Sequence, residues 1–193
     1  MDLHDRNGHR KYLTPAEGQD FLVAAESAPR QIRTFCGTLA YTGCRISEAL
    51  ALTADRVDMR EGVVVLESLK KRRKGIYRAV PVPPDFIDTL NLVHDLRTLH
   101  RSADRGRSVQ LWTWSRATAW RRVCEIMDAA GISGLHATPK GLRHGFGIRA
   151  VTSDVPLNMA QKWLGHAQLS TTAIYTNATG AEEKQIAERM WAG

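Results

Sequence analysis

The chain has no apolar run long enough to cross a bilayer; its longest stretches, such as Gly62 to Leu66, are far too short. Cysteine is scarce. Cys36, Cys44 and Cys124 are odd in number and show no paired metal-type spacing, which argues against a disulfide framework and against a zinc site. Three reduced thiols in a cytoplasmic protein are expected. The opening Met1-Asp2-Leu3-His4-Asp5-Arg6 has no apolar segment after a basic start, so no secretory signal is expected there. Internal repeats, low-complexity tracts and a linker between two full domains are absent as well. One domain with a short appendage fits 193 residues.

Positive charge is what the chain has in excess. Lys and Arg number 27 against 20 Asp and Glu, a formal net charge of +7. Nucleic acid is an expected partner of such a protein, because neutralised phosphates release counterions; a merely solvated basic surface is the alternative. Residues 1–12 are polar and read as a frayed start. Thr14-Pro15-Ala16-Glu17 carries a cap, a first-turn proline and a glutamate three residues on, predicting a helix to about Ala28. Helices are also predicted from about Arg30 to Tyr41, from near Arg45, over Asp85 to Leu99 and over Ser115 to Ala130, with short helices after Thr138. Gly62 to Leu66 and Ile76 to Val82 read as a hairpin whose turn is Lys70 to Lys74. The predicted class is mainly α with a small antiparallel β-sheet.

Four local patterns carry candidate chemistry. In Thr42-Gly43-Cys44-Arg45-Ile46-Ser47-Glu48, Arg45 either pairs with Glu48 one turn away or points a guanidinium at a phosphate. From Lys70 to Arg78, six of nine residues are basic: Lys70, Lys71, Arg72, Arg73, Lys74 and Arg78. That run is either a solvated turn or a finger lying along DNA. In Pro139-Lys140-Gly141-Leu142-Arg143-His144, helical spacing puts Lys140, Arg143 and His144 on one face, where their mutual repulsion favours an anion between them. Last comes Leu164-Gly165-His166, with Tyr175 nine positions later. Taken singly, that histidine and that tyrosine read as packing residues. Of the other three tyrosines, Tyr12 falls in the polar start, Tyr41 in a core helix and Tyr77 in the hairpin.

In this order and spacing the patterns resemble the boxes of the tyrosine recombinases, the phage integrase family, over about residues 14–190. The resemblance implies that catalytic-domain architecture, with residues 1–13 as an N-terminal extension and residues 14–193 as the catalytic domain, its helical tail starting at about 181. It implies site-specific cleavage and rejoining of DNA strands through a 3′-phosphotyrosine at Tyr175, in integration, excision or resolution of mobile DNA. Arg45 and Arg143 would clamp the non-bridging oxygens, His166 would bond the phosphate or assist the tyrosine proton, and a hairpin lysine would protonate the leaving 5′ oxygen. Lys70 suits that lysine's strand-end position, with Lys71 and Lys74 as competitors. Lys71, Arg72, Arg73, Lys74, Arg78 and His144 would contact DNA. No metal or other cofactor is implied, and no acidic cluster suited to Mg²⁺ is seen.

The sequence departs from the family pattern in two places. The second box usually begins with histidine where this chain has Lys140, a poor proton acceptor but still able to stabilise a phosphate. The hairpin also reads longer than the common form. Implied partners are double-stranded DNA and three further copies in a homotetramer, without a membrane. Family members usually carry an additional N-terminal DNA-binding domain. A catalytic domain separated from that clamp, a minimal recombinase and one that depends on an accessory partner are the three readings of its absence. In the tail, Ile186, Met190 and Trp191 pack on their own domain or dock on a neighbouring protomer. A type IB topoisomerase-like strand relaxer and a non-cleaving DNA-binding regulator are the alternative functions.

Overall fold

The computed structural model describes residues 3–69, 75–101 and 108–177, together with Lys184 and Glu188. The expected architecture is present: the described residues are mainly helical with a small antiparallel sheet. Helix α1 (Pro15–Glu26) begins at the predicted capping box. The Thr14 hydroxyl accepts from the Glu17 N–H at 3.2 Å, and the Glu17 carboxylate accepts from the Thr14 N–H at 2.9 Å. Two N–H groups that the helix itself leaves unpaired are thereby satisfied. Helix α2 (Arg30–Thr42) stops at Gly43, whose φ of 59° is left-handed. Helix α3 (Ile46–Leu50) starts directly after Arg45.

Strands β1 (Val57–Asp58), β2 (Val63–Glu67) and β3 (Tyr77–Pro81) pair antiparallel in that order, Leu66 facing Arg78 and Val64 facing Val80. β1 was not predicted; two residues carry no readable alternation. The single helix expected over 85–99 is two, α4 (Pro84–His94) and α5 (Leu96–Arg101). Asp95 interrupts them in the left-handed region at φ 50°, a conformation aspartate tolerates better than most side chains. Helices α6 (Arg116–Ala129), α7 (Pro139–Thr152), α8 (Leu157–Leu164) and α9 (Ser170–Ala173) follow, and α9 runs into a 3-10 turn at Ile174–Asn177.

α1, α2, α6 and α7 pack on one another around the main core, where Phe21, Phe35, Leu39, Leu90 and Val123 are buried. Trp112 fills the same core and donates its indole N–H to the Gln31 carbonyl at 3.0 Å. A second, smaller core holds Leu3, Tyr12, Phe146, Ile148, Leu164 and Tyr175. For residues 3–12 it corrects the reading of the start as frayed. His4 and Arg10 form a β-bridge, Lys11 N–H donates to the Leu3 carbonyl at 2.7 Å, and Leu13 N–H to that of Gly141 at 3.2 Å. The polar average of the segment hid two apolar side chains, Leu3 and Tyr12, that its turn delivers to one place.

Cys36, Cys44 and Cys124 are free thiols. Among the described residues no helix is long and apolar enough to cross a membrane, and no group of three or more metal-ligating side chains is gathered. The hairpin turn with Lys70, Lys71, Arg72, Arg73 and Lys74 lies outside the described residues, as do Ile186, Met190 and Trp191 of the tail.

Candidate active site

Four chain segments converge where α2 and α8 end. Arg45 sits at the N-cap of α3, and the Glu48 carboxylate reaches back to accept from its backbone N–H at 2.9 Å and its guanidinium at 2.8 Å. The Glu48 side chain is fully buried, and Arg78 of β3 donates at 2.6 Å to the same oxygen, Oε2, that accepts from the Arg45 backbone N–H. Burial alone would raise the Glu48 carboxyl, but the positive charge and hydrogen bonds of Arg78 and Arg45 hold it below its ordinary value.

Arg143 of α7 is buried and donates to two main-chain carbonyls, Gly43 at 2.6 Å and Leu164 at 2.7 Å. Those oxygens belong to the C-terminal ends of α2 and α8, the negative ends of both helix dipoles. Burial and then the nearby Arg45 bring the Arg143 pKa down to about 10, still protonated at neutral pH. Among the described residues, Glu48 is the one carboxylate paired within this group: it bonds Arg45 and Arg78 and acts on Arg143 only through space, so three positive charges face one negative charge. Such an excess in a partly desolvated place is a site for an anion.

His166 follows the left-handed turn at Gly165, and its Nδ1 lies 2.8 Å from the Thr172 hydroxyl. Burial, then the charges of Arg143 and Arg45, lowers its pKa to about 3. Its ring stacks on that of Tyr175, centroids 6.2 Å apart and planes 17° from parallel. Tyr175 is fully buried. Burial raises its phenol above the ordinary value against the opposing pull of Arg143 and Arg45. The tyrosine hydroxyl lies 3.1 Å from Nδ1 of His144.

Arg45, Arg143, His166 and Tyr175 are therefore brought together, and two expected DNA contacts are not where they were expected. Arg78, read as part of the basic finger, is buried, with its three nitrogens bonded to Glu48, to Ser68 at 3.1 Å and to the Trp163 carbonyl at 2.6 Å. Strand alternation explains the correction: Arg78 has the parity of Val80 and Val82, which point inward. His144 is buried on Tyr175 instead of facing outward. Lys140, in the first turn of α7, is exposed. The crowding of Lys140, Arg143 and His144 is relieved without an anion, because two carbonyls take Arg143 and burial keeps His144 neutral, its pKa down to about 4.

Two contributors went unread in the sequence. In the sequence Glu48 reads as a partner of Arg45, and its place three residues into a helix is the one local sign of a back-reaching cap. Thr172, which fixes the His166 ring, gives no sequence signal.

Residues 11–182 match the model of the phage integrase family. The chain belongs to that family. It is similar to tyrosine recombinase XerD of Vibrio vulnificus, 30% identical over 155 residues, 75% of this chain and 48% of that one. Tyrosine recombinase XerA of Pyrococcus furiosus is 31% identical over 184 residues, 93% of this chain and 61% of that one. The crystal structure of a XerA recombinase superposes with a TM-score of 0.77 at 26% identity, covering 93% of this chain and 64% of that one. The chain thus spans about half to three-fifths of the length of these two relatives. For this member of the phage integrase family, the matched region contains Arg45, Arg143, His166 and Tyr175.

Proposed function

We propose that the chain is the strand-cleaving domain of a site-specific recombinase that acts on double-stranded DNA through Tyr175. The observation that carries the reading is the convergence of Tyr175 and His166 on a guanidinium cluster with surplus positive charge. In the reaction the Tyr175 oxygen attacks a backbone phosphorus and loses its proton, and the bond from phosphorus to the 5′ oxygen breaks. The products are a 3′-phosphotyrosine and a 5′ hydroxyl. Attack by another 5′ hydroxyl reverses the chemistry and joins a new strand without an external energy source.

Arg45, about a third exposed, and Arg143 behind it stabilise the charge that builds on the non-bridging oxygens. His166, neutral and fixed by Thr172, bonds the phosphate or assists the tyrosine proton. Lys70 supplies the proton for the leaving oxygen, and Lys140 adds positive charge near the phosphate. Lys71, Arg72, Arg73 and Lys74 lie along the backbone of the duplex. The working assembly is a homotetramer on DNA, joined by an N-terminal DNA-binding domain or an accessory protein.

The test is incubation with nicked duplexes drawn from the flanks of its own gene, followed by a denaturing gel. Loss of the short 5′ fragment traps the covalent adduct. A protein–DNA band that vanishes in Tyr175→Phe is the expected result. Tight DNA binding without any adduct, also when an N-terminal DNA-binding domain is supplied, would instead make the chain a non-cleaving DNA-binding module.

A further inference from the structure

The proposed reaction starts at the Tyr175 hydroxyl, yet no phosphodiester can reach that atom in this structure. The side chain has no exposed surface. Its ring lies against Gly147 so closely that a Cβ there would come within 2.5 Å of two ring carbons. The His166 ring stacks on it, and Leu3 and Tyr12 belong to the same apolar cluster. A phenolic O–H enclosed this way needs a partner. Among the described residues that partner is His144, through Nδ1 at 3.1 Å.

His144 is not a comfortable core residue. Its other ring nitrogen, Nε2, is buried and has no hydrogen-bond partner among the described residues. An unpaired buried nitrogen costs free energy that leucine would not incur, so packing alone does not explain the imidazole. We propose that His144 is a positioning residue for the nucleophile, holding the Tyr175 hydroxyl in a withdrawn pocket until DNA is engaged. The inference rests on the reading of Tyr175 as the nucleophile. Burial, then the positive charges of Lys140, Arg143 and Lys11, keeps the His144 imidazole neutral. The contact is therefore an ordinary hydrogen bond between neutral groups, which substrate binding can exchange for another.

Acetylation of tyrosines by N-acetylimidazole in the DNA-free protein, read residue by residue by mass spectrometry, tests this directly. Tyr77, 47% exposed, is the internal reference. Tyr175 in the unaltered protein should react at least about tenfold more slowly than Tyr77, because its pocket must first open. His144→Leu should raise the Tyr175 rate about fivefold, the effect of one lost hydrogen bond. His144→Asn places an amide near the Nδ1 position and should stay within about twofold of the unaltered protein, whereas His144→Gln reaches the Nε2 position and should behave like the leucine variant.

Equal Tyr175 rates in the Asn and Gln variants would overturn the proposal, even if the leucine variant folds poorly. So would a Tyr175 as reactive as Tyr77 in the unaltered protein. The readout contains no DNA. Failure to form an adduct would therefore remove Tyr175 from its proposed role without changing what this experiment says about His144.

Discussion

Replacing Glu48 by glutamine keeps the size of the side chain, removes one negative charge and turns one of its two accepting oxygens into a donor toward the Arg45 guanidinium. The amide oxygen still accepts from the Arg45 backbone N–H, and the shape of the side chain is kept. What is lost, among the described residues, is the one carboxylate paired with Arg78, in a pair whose side chains are 0% and 4% exposed. Removing one partner of a buried ion pair costs about 3–5 kcal/mol, because the other charge remains desolvated. Arg78 keeps its bonds to Ser68 and the Trp163 carbonyl, which places the expected cost at the low end, about 3 kcal/mol. The Arg45 half of the network is about a third exposed and adds at most about 1 kcal/mol. In a domain of this size a loss of 3 kcal/mol lowers Tm by about 6–12 °C.

Urea melts of Glu48→Gln, Arg78→Met and the double variant at pH 7.5 measure it. Each single change should destabilise strongly, and the double should cost at least about 2 kcal/mol less than their sum. A glutamine variant within about 1 kcal/mol of the starting protein, or strictly additive costs, would refute the reasoning. Arg78 would then be available to the outer face of the hairpin after all.

Three other outcomes are expected. Arg143→Ala should lower the rate of adduct formation by about 10²–10³ and also lower stability, since the guanidinium's bonds to Gly43 and Leu164 go with it; an inactive variant with unchanged melting would contradict that double role. Folding holds His144 at a pKa of about 4 and His166 at about 3, so the folded state binds fewer protons than the unfolded one below about pH 6.5. Stability should accordingly be level between about pH 7 and 8 and fall as pH drops below 6.5, with His144 contributing on the order of 2 kcal/mol by pH 5. Urea midpoints that stay flat down to pH 5 would show these rings are not kept neutral. Gly147→Ala should overpack the Tyr175 pocket at about 1–3 kcal/mol and expose the tyrosine to acetylation. Unchanged protection would mean that the ring does not rest on Gly147.

Where the sequence was legible, a local rule fixed the outcome. The Thr14–Glu17 box and the glycines at 43 and 165 each bound an element through backbone requirements that need no tertiary knowledge. The convergence of Arg45, Arg143, His166 and Tyr175 was legible only as an ordered set. What failed was inference from composition. Arg78 sits beside a basic run and is buried, because strand parity and a buried glutamate outrank its neighbours in sequence. His144 has the helical phase of Lys140, yet α9 and its following turn bring Tyr175 onto it, a contact between residues 31 positions apart that no local pattern encodes. Leu3 and Tyr12 were concealed in the same way, by a polar average over a turn that buries two side chains.

Arg143 ties together the C-terminal carbonyls of α2 and α8 with the same guanidinium that faces the anion site. If the proposed reaction holds, chemistry and scaffold are inseparable at that position, while at Tyr175 the hydroxyl is one removable atom. A descendant of this sequence that abandons strand cleavage but stays folded has an easy route through tyrosine to phenylalanine and a hard one through the arginine. In such a lineage, retention of Arg143 would record architecture, and only the residue at 175 would record whether the chemistry survives.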